Sequence, residues 1–219
     1  MKQNTNVISF ILAAAVSLGL AASASAQSAN VAVPTPSEPA PAGGLLGSRY
    51  TEVAYNYIDL TAGSPGVARG FTFDYNMPFK ANVDLNLDYD WARAKYAGTR
   101  LTQQDVGVGA TAYTNLSWGR PFALAAVGWQ WQKGGGSNDD SFTYKLGVGT
   151  EFQVAPAVVV TPFVNFVRAT GFNDSEADFG VKTAYRVTKD WSVTARAQYD
   201  AVRHYKDSIE YSVGAAYHF

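Results

Sequence analysis

The sequence predicts an all-β protein, a closed antiparallel up-and-down barrel of about ten strands, with eight as the alternative count. Three observations predict it. From Tyr50 to Phe219, apolar and polar side chains alternate with a period of two, the spacing of a strand with two different faces. The alternating segments are about ten residues long. Longer polar connections and short ones follow each other in turn, as in a meander closed into a barrel.

The chain begins with a segment typical of a cleaved export signal. Lys2 precedes an apolar run over residues 7–22, and Ala24-Ser25-Ala26 supplies the small residues of a cleavage site. A membrane-anchoring helix is the competing interpretation. We predict a signal peptide over residues 1–26 and a mature chain that starts at Gln27. Residues 27–48 are rich in proline and alanine, which predicts an extended periplasmic linker, either a plain spacer or a tether.

The barrel is predicted over residues 49–219. Its ten alternating segments are residues 50–60, 70–76, 82–91, 105–113, 122–132, 142–152, 158–167, 178–187, 191–200 and 208–219. Pro162 interrupts the seventh segment, where a closed barrel has no free edge for a residue without N–H, so a β-bulge is expected there. Because the strand number is even, both chain ends should lie on the periplasmic side, with five longer loops on the other side.

Composition excludes several classes of function. The chain has no cysteine, so it has no disulfide framework and no thiolate chemistry. A net charge of −1 indicates no nucleic-acid partner. Oxygen-rich stretches at residues 137–140 and 172–178 lack EF-hand spacing, so we predict neither a metal site nor a cofactor.

The apolar face of the barrel points at lipid if the protein spans a membrane, and inward if it is a soluble lipid- or ligand-binding barrel of the periplasm. Strands of about ten residues cross a hydrocarbon layer when tilted, which favours the membrane. Aromatic side chains collect near the strand ends, as expected for two interfacial girdles. The predicted girdle residues are Tyr89, Trp91, Trp129, Trp131, Trp191 and Tyr217.

The polar face of the same strands then lines the interior. Its predicted charged residues are Glu52, Asp74, Asp84, Asp88, Asp90, Lys145, Glu151, Lys182, Arg186, Arg196 and Glu210. One interpretation is an ion-pair network that largely fills a narrow lumen, since charges removed from water must be paired. The alternative is a small cation-preferring or solute-conducting pore lined by the carboxylates.

Catalysis finds little support in the sequence. The chain has two histidines, and acid–base or nucleophilic mechanisms at a barrel rim need a histidine beside acids or a serine. His204 lies between Asp200 and Asp207 in a polar connection and is the sole candidate, whereas His218 is the penultimate residue. We therefore predict no enzymatic activity and no catalytic residue.

The last residues, YSVGAAYHF, resemble the C-terminal signal of bacterial outer-membrane β-barrels, with alternating aromatics that end in Tyr217 and Phe219. Together with the export signal, the resemblance covers the chain except its Pro-rich linker. The small OmpA-like or opacity-type barrels are the nearest in shape. The resemblance implies a location in the cell outer membrane and assembly by the barrel-assembly machinery. It further implies contact with outer-membrane lipid and lipopolysaccharide, a monomeric state, and a structural or surface-interaction role.

Overall fold

A computed structural model describes residues 44–60, 66–96, 99–203 and 207–219. It contains ten antiparallel strands, each hydrogen-bonded to its neighbours in sequence, and β1 pairs with β10 to close the barrel. The up-and-down barrel of about ten strands is thus confirmed, and the alternative of eight is excluded. The strands are β1 (Tyr50–Asp59), β2 (Val67–Lys80), β3 (Val83–Tyr96), β4 (Thr99–Tyr113), β5 (Arg120–Gly134), β6 (Ser137–Ala155), β7 (Val158–Ala169), β8 (Asp174–Arg186), β9 (Trp191–Val202) and β10 (Ser208–His218).

The two ends of the barrel differ in what they carry. Tyr50, at the start of β1, pairs with His218, at the end of β10, so both ends of the sheet lie at one rim. We call this rim the terminal end and the opposite rim the distal end. Among the described residues, no helix is long and apolar enough to cross a membrane.

Most strands run further toward the distal end than their hydrophobic alternation indicates. The β3–β4 ladder continues to the pair Tyr96–Thr99, and the β5–β6 ladder to Gly134–Ser137. The loops predicted after the third, fifth and seventh segments are therefore wrong, since most of their residues belong to strands. Polar residues on both faces erase the period-two signal, but they do not prevent backbone pairing. Gly135 and Gly136 close the β5–β6 hairpin with φ of 61° and 87°, values that glycine adopts without steric cost.

The predicted bulge at Pro162 is also wrong. Pro162 pairs with Val181 of β8 in an unbroken register. On the β6 side, the same register holds before and after it, and only the pairs at Thr161 and Pro162 lapse. A local gap in the ladder accommodates the missing N–H without an extra residue. The register shift of β6 lies instead between Gln153 and Ala155, beside the tight turn.

The distal part of the interior is apolar between β1 and β4. Ile58, Ala68, Ala92, Ala94 and Leu101 form a buried cluster, against which Leu60 packs. The described turns at the terminal end include residues 114–119, with a bridge between Leu116 and Gly119.

Candidate functional site

The outer wall of the barrel is a continuous band of exposed aliphatic side chains. Val213 in the middle of β10 is 63% exposed, and Val148 of β6 is 57% exposed. The same band includes Val53, Leu87, Val108, Leu146, Val164, Val181 and Val193, each more than 40% exposed. Soluble monomers rarely expose apolar patches larger than a few hundred Å². The wall therefore presents the kind of surface that a globular protein keeps inside.

The six predicted girdle residues all point outward, above and below this band. Tyr89, Trp129, Trp131, Trp191 and Tyr217 are exposed, and Trp91 is half-buried. On the distal side, Trp91 stacks on Phe71 with ring centroids 6.3 Å apart. On the terminal side, Tyr217 lies between Trp191 and Phe219, with both centroid distances at 5.1 Å. Aromatic rings thus lie at both margins of the aliphatic band.

The eleven charged residues predicted for the interior all occupy inward positions of their strands, where they are buried or half-buried. Lys182 donates a hydrogen bond to Glu52 with an N–O distance of 2.7 Å, and Thr194 donates a second at 2.7 Å. Arg196 pairs with Glu210. Glu52 of β1 thus binds side chains of β8 and β9, which lie three and two strands away from it around the closed barrel.

Carboxylates in the terminal half of the lumen also stand beside each other. Glu52 is the cross-strand partner of Asp74, and Asp74 is the partner of Asp88. Like charges in direct cross-strand positions destabilise a sheet unless cations lie nearby. Lys145 and Arg196 line the cavity in the same region, and neither is without a partner.

Several interior acids lie outside the predicted set. The buried ones are Asp105 on β4, Glu176 and Asp178 on β8, and Asp200 on β9. Three of them follow the alternation of the predicted polar face, whereas Glu176 falls in a predicted loop. Neutral donors bind three of them. Gln103 donates to Asp105 at 2.8 Å, Ser208 donates to Asp200 at 2.8 Å, and Asn165 donates to Asp178 at 3.5 Å. Carboxylates therefore exceed basic groups in the described interior, and ion pairs satisfy only part of them.

Residues 44–48 occupy the mouth of the barrel at its terminal end. The backbone N–H groups of Leu45 and Leu46 donate to Glu151 at 2.9 and 3.3 Å, and that of Gly47 donates to Asp84 at 2.7 Å. Arg120 donates to the Leu46 carbonyl at 2.6 Å and also pairs with Glu151. We call residues 44–48 the mouth segment. Sequence reasoning missed its contacts because its side chains are small or apolar, and its bonds run through the backbone.

A cavity of about 200 Å³ lies behind the mouth segment. Leu45, Leu46 and Tyr50 line its terminal side. Its walls combine Phe122, Leu124 and Phe163 with Asp74, Asp88, Lys145, Lys182 and Arg196. The lumen thus keeps space in its terminal half, between the mouth segment and the polar network.

Replacing Gly47 with Val should release the mouth segment. Gly47 has a φ of 72°, which strains the backbone of any other residue. A Cβ there would also lie 2.6 Å from the Tyr113 hydroxyl, so a branched side chain must displace that hydroxyl. Strain of this kind costs roughly 1–3 kcal/mol, enough for about a tenfold rise in the released population. Because the chain lacks cysteine, a Leu45→Cys reporter is a unique thiol. We expect a polar maleimide to label it about tenfold faster in the Gly47→Val background.

Gly136→Val is the matched control for this experiment. Gly136 also has a positive φ, 87°, but a Cβ there meets no atom within 4 Å, and it lies in the distal hairpin. In the Gly136→Val protein, the maleimide should label the cysteine at position 45 as fast as it does in the protein with Leu45→Cys alone. Equal labelling in the Gly47→Val protein would show that the mouth segment is not held by this turn.

The structure describes one of the two histidines. His218 is buried at the terminal end, with Nε2 2.9 Å from the Ser192 hydroxyl. The sole sequence candidate, His204, lies outside the described residues, as do the signal peptide and residues 27–43. Among the described residues, no group of His, Asp and Glu side chains has the arrangement of a metal site.

These features define a closed up-and-down barrel with an apolar exterior and a charged interior. The sequence matches no known protein family and no curated protein. Among solved structures, it is similar to the translocator domain of the autotransporter NalP from Neisseria meningitidis, with a TM-score of 0.49, 11% identity, and coverage of 78% of this chain and 88% of that one.

Two further solved structures are also similar to this chain. The transport unit of the autotransporter AIDA-I from Escherichia coli has a TM-score of 0.49 and 15% identity, over 79% of this chain and 91% of that one. Neisserial surface protein A has a TM-score of 0.41 and 15% identity, over 78% and 96%. Likenesses this distant carry no argument about function, which must come from the residues of this chain.

Proposed function

We propose that the protein is a monomeric outer-membrane β-barrel with a structural or surface-interaction role and a lumen closed by its own side chains. The exposed aliphatic band, with Val213 at 63% exposure in its middle, carries this proposal. Each buried CH₂ group is worth about 0.8 kcal/mol when it leaves water, so lipid around this band stabilises the barrel strongly. Aromatic rings at both margins suit the two membrane interfaces.

The inverted distribution of polar groups argues against a soluble ligand-binding barrel. Such a barrel would direct its aliphatic residues inward and its charges toward water. Here Asp84, Asp178 and Asp200 are buried, whereas Val53 and Leu146 are exposed. The predicted signal peptide and the C-terminal Tyr217 and Phe219 support export and assembly into the outer membrane. Phe219 is 70% exposed, and Arg49 lies 5.5 Å from the centre of its ring.

Closure of the lumen is proposed from both of its ends. The mouth segment lies across the terminal end, and the apolar cluster around Ile58 and Leu101 fills the distal part between β1 and β4. Between them, the ion pair Lys182–Glu52 joins β8 to β1, and the pair Arg196–Glu210 joins the neighbouring strands β9 and β10. Small barrels are commonly filled by interior side chains in this way.

A cation-conducting pore is the second candidate, favoured by the excess of interior carboxylates and the cavity behind the mouth segment. Purified protein in planar lipid bilayers separates the two functions. We expect no conductance steps from the parent protein. Cation-selective steps that shrink in Asp88→Asn, but not in the matched control Asp190→Asn, would establish the pore instead, since Asp88 lines the cavity and Asp190 lies in an exposed turn.

A further inference from the structure

Basic side chains cluster on one sector of the outer wall, at the distal end of β2–β5. They are Arg69, Arg93, Lys95, Arg100 and Lys133, and all are exposed at outward positions of their strands. We call them the distal basic patch. Three of them lie two residues beyond an aromatic residue of the distal girdle, in the segments Arg69-Gly70-Phe71, Trp91-Ala92-Arg93 and Trp131-Gln132-Lys133. Two residues of a strand span roughly 7 Å, the depth of a headgroup layer next to the girdle.

The strand register joins these residues into a continuous surface. Arg69 is the direct cross-strand partner of Arg93, and Lys95 is that of Arg100. Thr102 is paired with Arg93 on one side and with Lys133 on the other. The patch thus covers four neighbouring strands without a gap.

This arrangement places like charges where they repel each other. Direct cross-strand pairs of equal charge destabilise a sheet, and two such pairs occur here. None of the ion pairs among the described residues involves the patch. The outward faces of β2–β5 carry no carboxylate, and the flanking strands contribute only Asp59 and Asp140. An external anion would relieve the repulsion.

Among the described residues, the opposite sector of the wall has no such cluster. Beyond the aromatic rings of β7–β10, the outward positions hold Arg168, Ser175, Ala201 and Ile209, and the exposed Arg203 follows the end of β9. Arg168 donates to Asn173 at 3.4 Å. If basic residues served only to hold the barrel at the interface, they would be spread around the whole rim. Their concentration on one sector indicates a localised partner.

We propose that the distal basic patch binds the phosphate groups of lipid headgroups in the outer leaflet of the membrane. This inference rests on the proposed membrane location, because the girdle next to the patch sets its depth. Arginine forms paired hydrogen bonds with phosphate oxygens, and Arg69 beside Arg93 offers two such groups to one headgroup. The aliphatic band below the patch contacts the acyl chains of the same lipid, so a phosphorylated glycolipid fits both surfaces.

Binding is measured on the folded full-length barrel in detergent by native mass spectrometry. The probes are bisphosphorylated lipid A, the same glycolipid without its phosphates, and inorganic phosphate. Loss of charged hydrogen bonds should weaken binding by about tenfold for the dephosphorylated lipid. The triple variant Arg69→Gln/Arg93→Gln/Lys133→Gln should lose about as much affinity for lipid A. The matched control Lys80→Gln/Arg168→Gln/Lys189→Gln removes the same charge elsewhere and should bind like the parent.

Three results would overturn the inference. They are equal binding of the phosphorylated and dephosphorylated lipids, equal losses in the two triple variants, and inorganic phosphate that competes as well as lipid A. Heat-modifiable migration on gels confirms that each variant is folded. A parent protein that stays soluble without detergent would refute the proposed membrane function itself. A barrel that inserts into membranes but binds phosphorylated and dephosphorylated lipid A equally would refute only the proposed phosphate binding by the distal basic patch.

Discussion

Replacing Val213 with Arg should destabilise the barrel in lipid by about 2–4 kcal/mol, the cost of a basic side chain at the midplane of a membrane barrel. Val213 lies in the middle of β10, faces outward, and pairs with Tyr55 and Ala195. Urea unfolding from lipid vesicles measures the free energy. In water, an exposed substitution at this position would change stability by only about 0.5 kcal/mol.

Ile209→Arg is the matched control for Val213→Arg. Ile209 lies on the same outward face of β10, next to the distal end, where a basic residue costs only about 0–1 kcal/mol. The difference between the two variants reports the depth of each residue in the bilayer. Equal effects at positions 209 and 213 would contradict a membrane-spanning wall.

Replacing Arg120 with Met should cost about 3–5 kcal/mol, because it leaves the Glu151 carboxylate buried without its cation. The side chains of Arg120 and Glu151 are only 5% and 3% exposed. The same change removes the 2.6 Å bond from Arg120 to the Leu46 carbonyl, so the mouth segment loses a contact as well. The unfolding free energy and thiol labelling at position 45 measure the two effects separately.

Two further variants test whether the charge pair is the cause. The double variant Arg120→Met/Glu151→Leu removes both charges and should recover much of the lost stability, since apolar replacements of buried pairs are often neutral. Lys189→Met breaks an exposed pair with Asp190, 3.9 Å apart, and should change stability by less than about 1 kcal/mol. If the single and double variants were equally unstable, packing rather than an uncompensated charge would explain the loss.

The face of the sheet to which each strand side chain points was predictable, because neighbouring side chains point to opposite faces. Glu52 and Val53 differ by one position, and one is buried while the other is 52% exposed. The same rule placed all eleven predicted charged residues in the interior. It failed at Glu176 and Arg120, which lie where the hydrophobic alternation ends and a loop or turn was expected.

Contacts between distant strands were beyond such reasoning. Nothing in the order of residues pairs Lys182 with Glu52, since the register and closure of ten strands decide which interior side chains meet. The extended ladders to Tyr96 and Gly134 depend on backbone hydrogen bonds, which every residue except proline can make through both its N–H and its C=O. The two missing β6–β7 pairs at Thr161 and Pro162 likewise depend on the position of β6 beside β7, which the sequence of β7 does not specify.

The alternation of side chains alone established a two-faced wall, its approximate strand number and the polarity of each face, because these are local properties of an extended chain. The tertiary structure decided how that wall is used. Closure of β1 onto β10 directed the charged face inward and set Arg120, Glu151 and Asp84 around the backbone of residues 44–48. It also aligned Arg69 with Arg93 and Lys95 with Arg100 on one outer sector, because cross-strand neighbours are defined only when the strands pair.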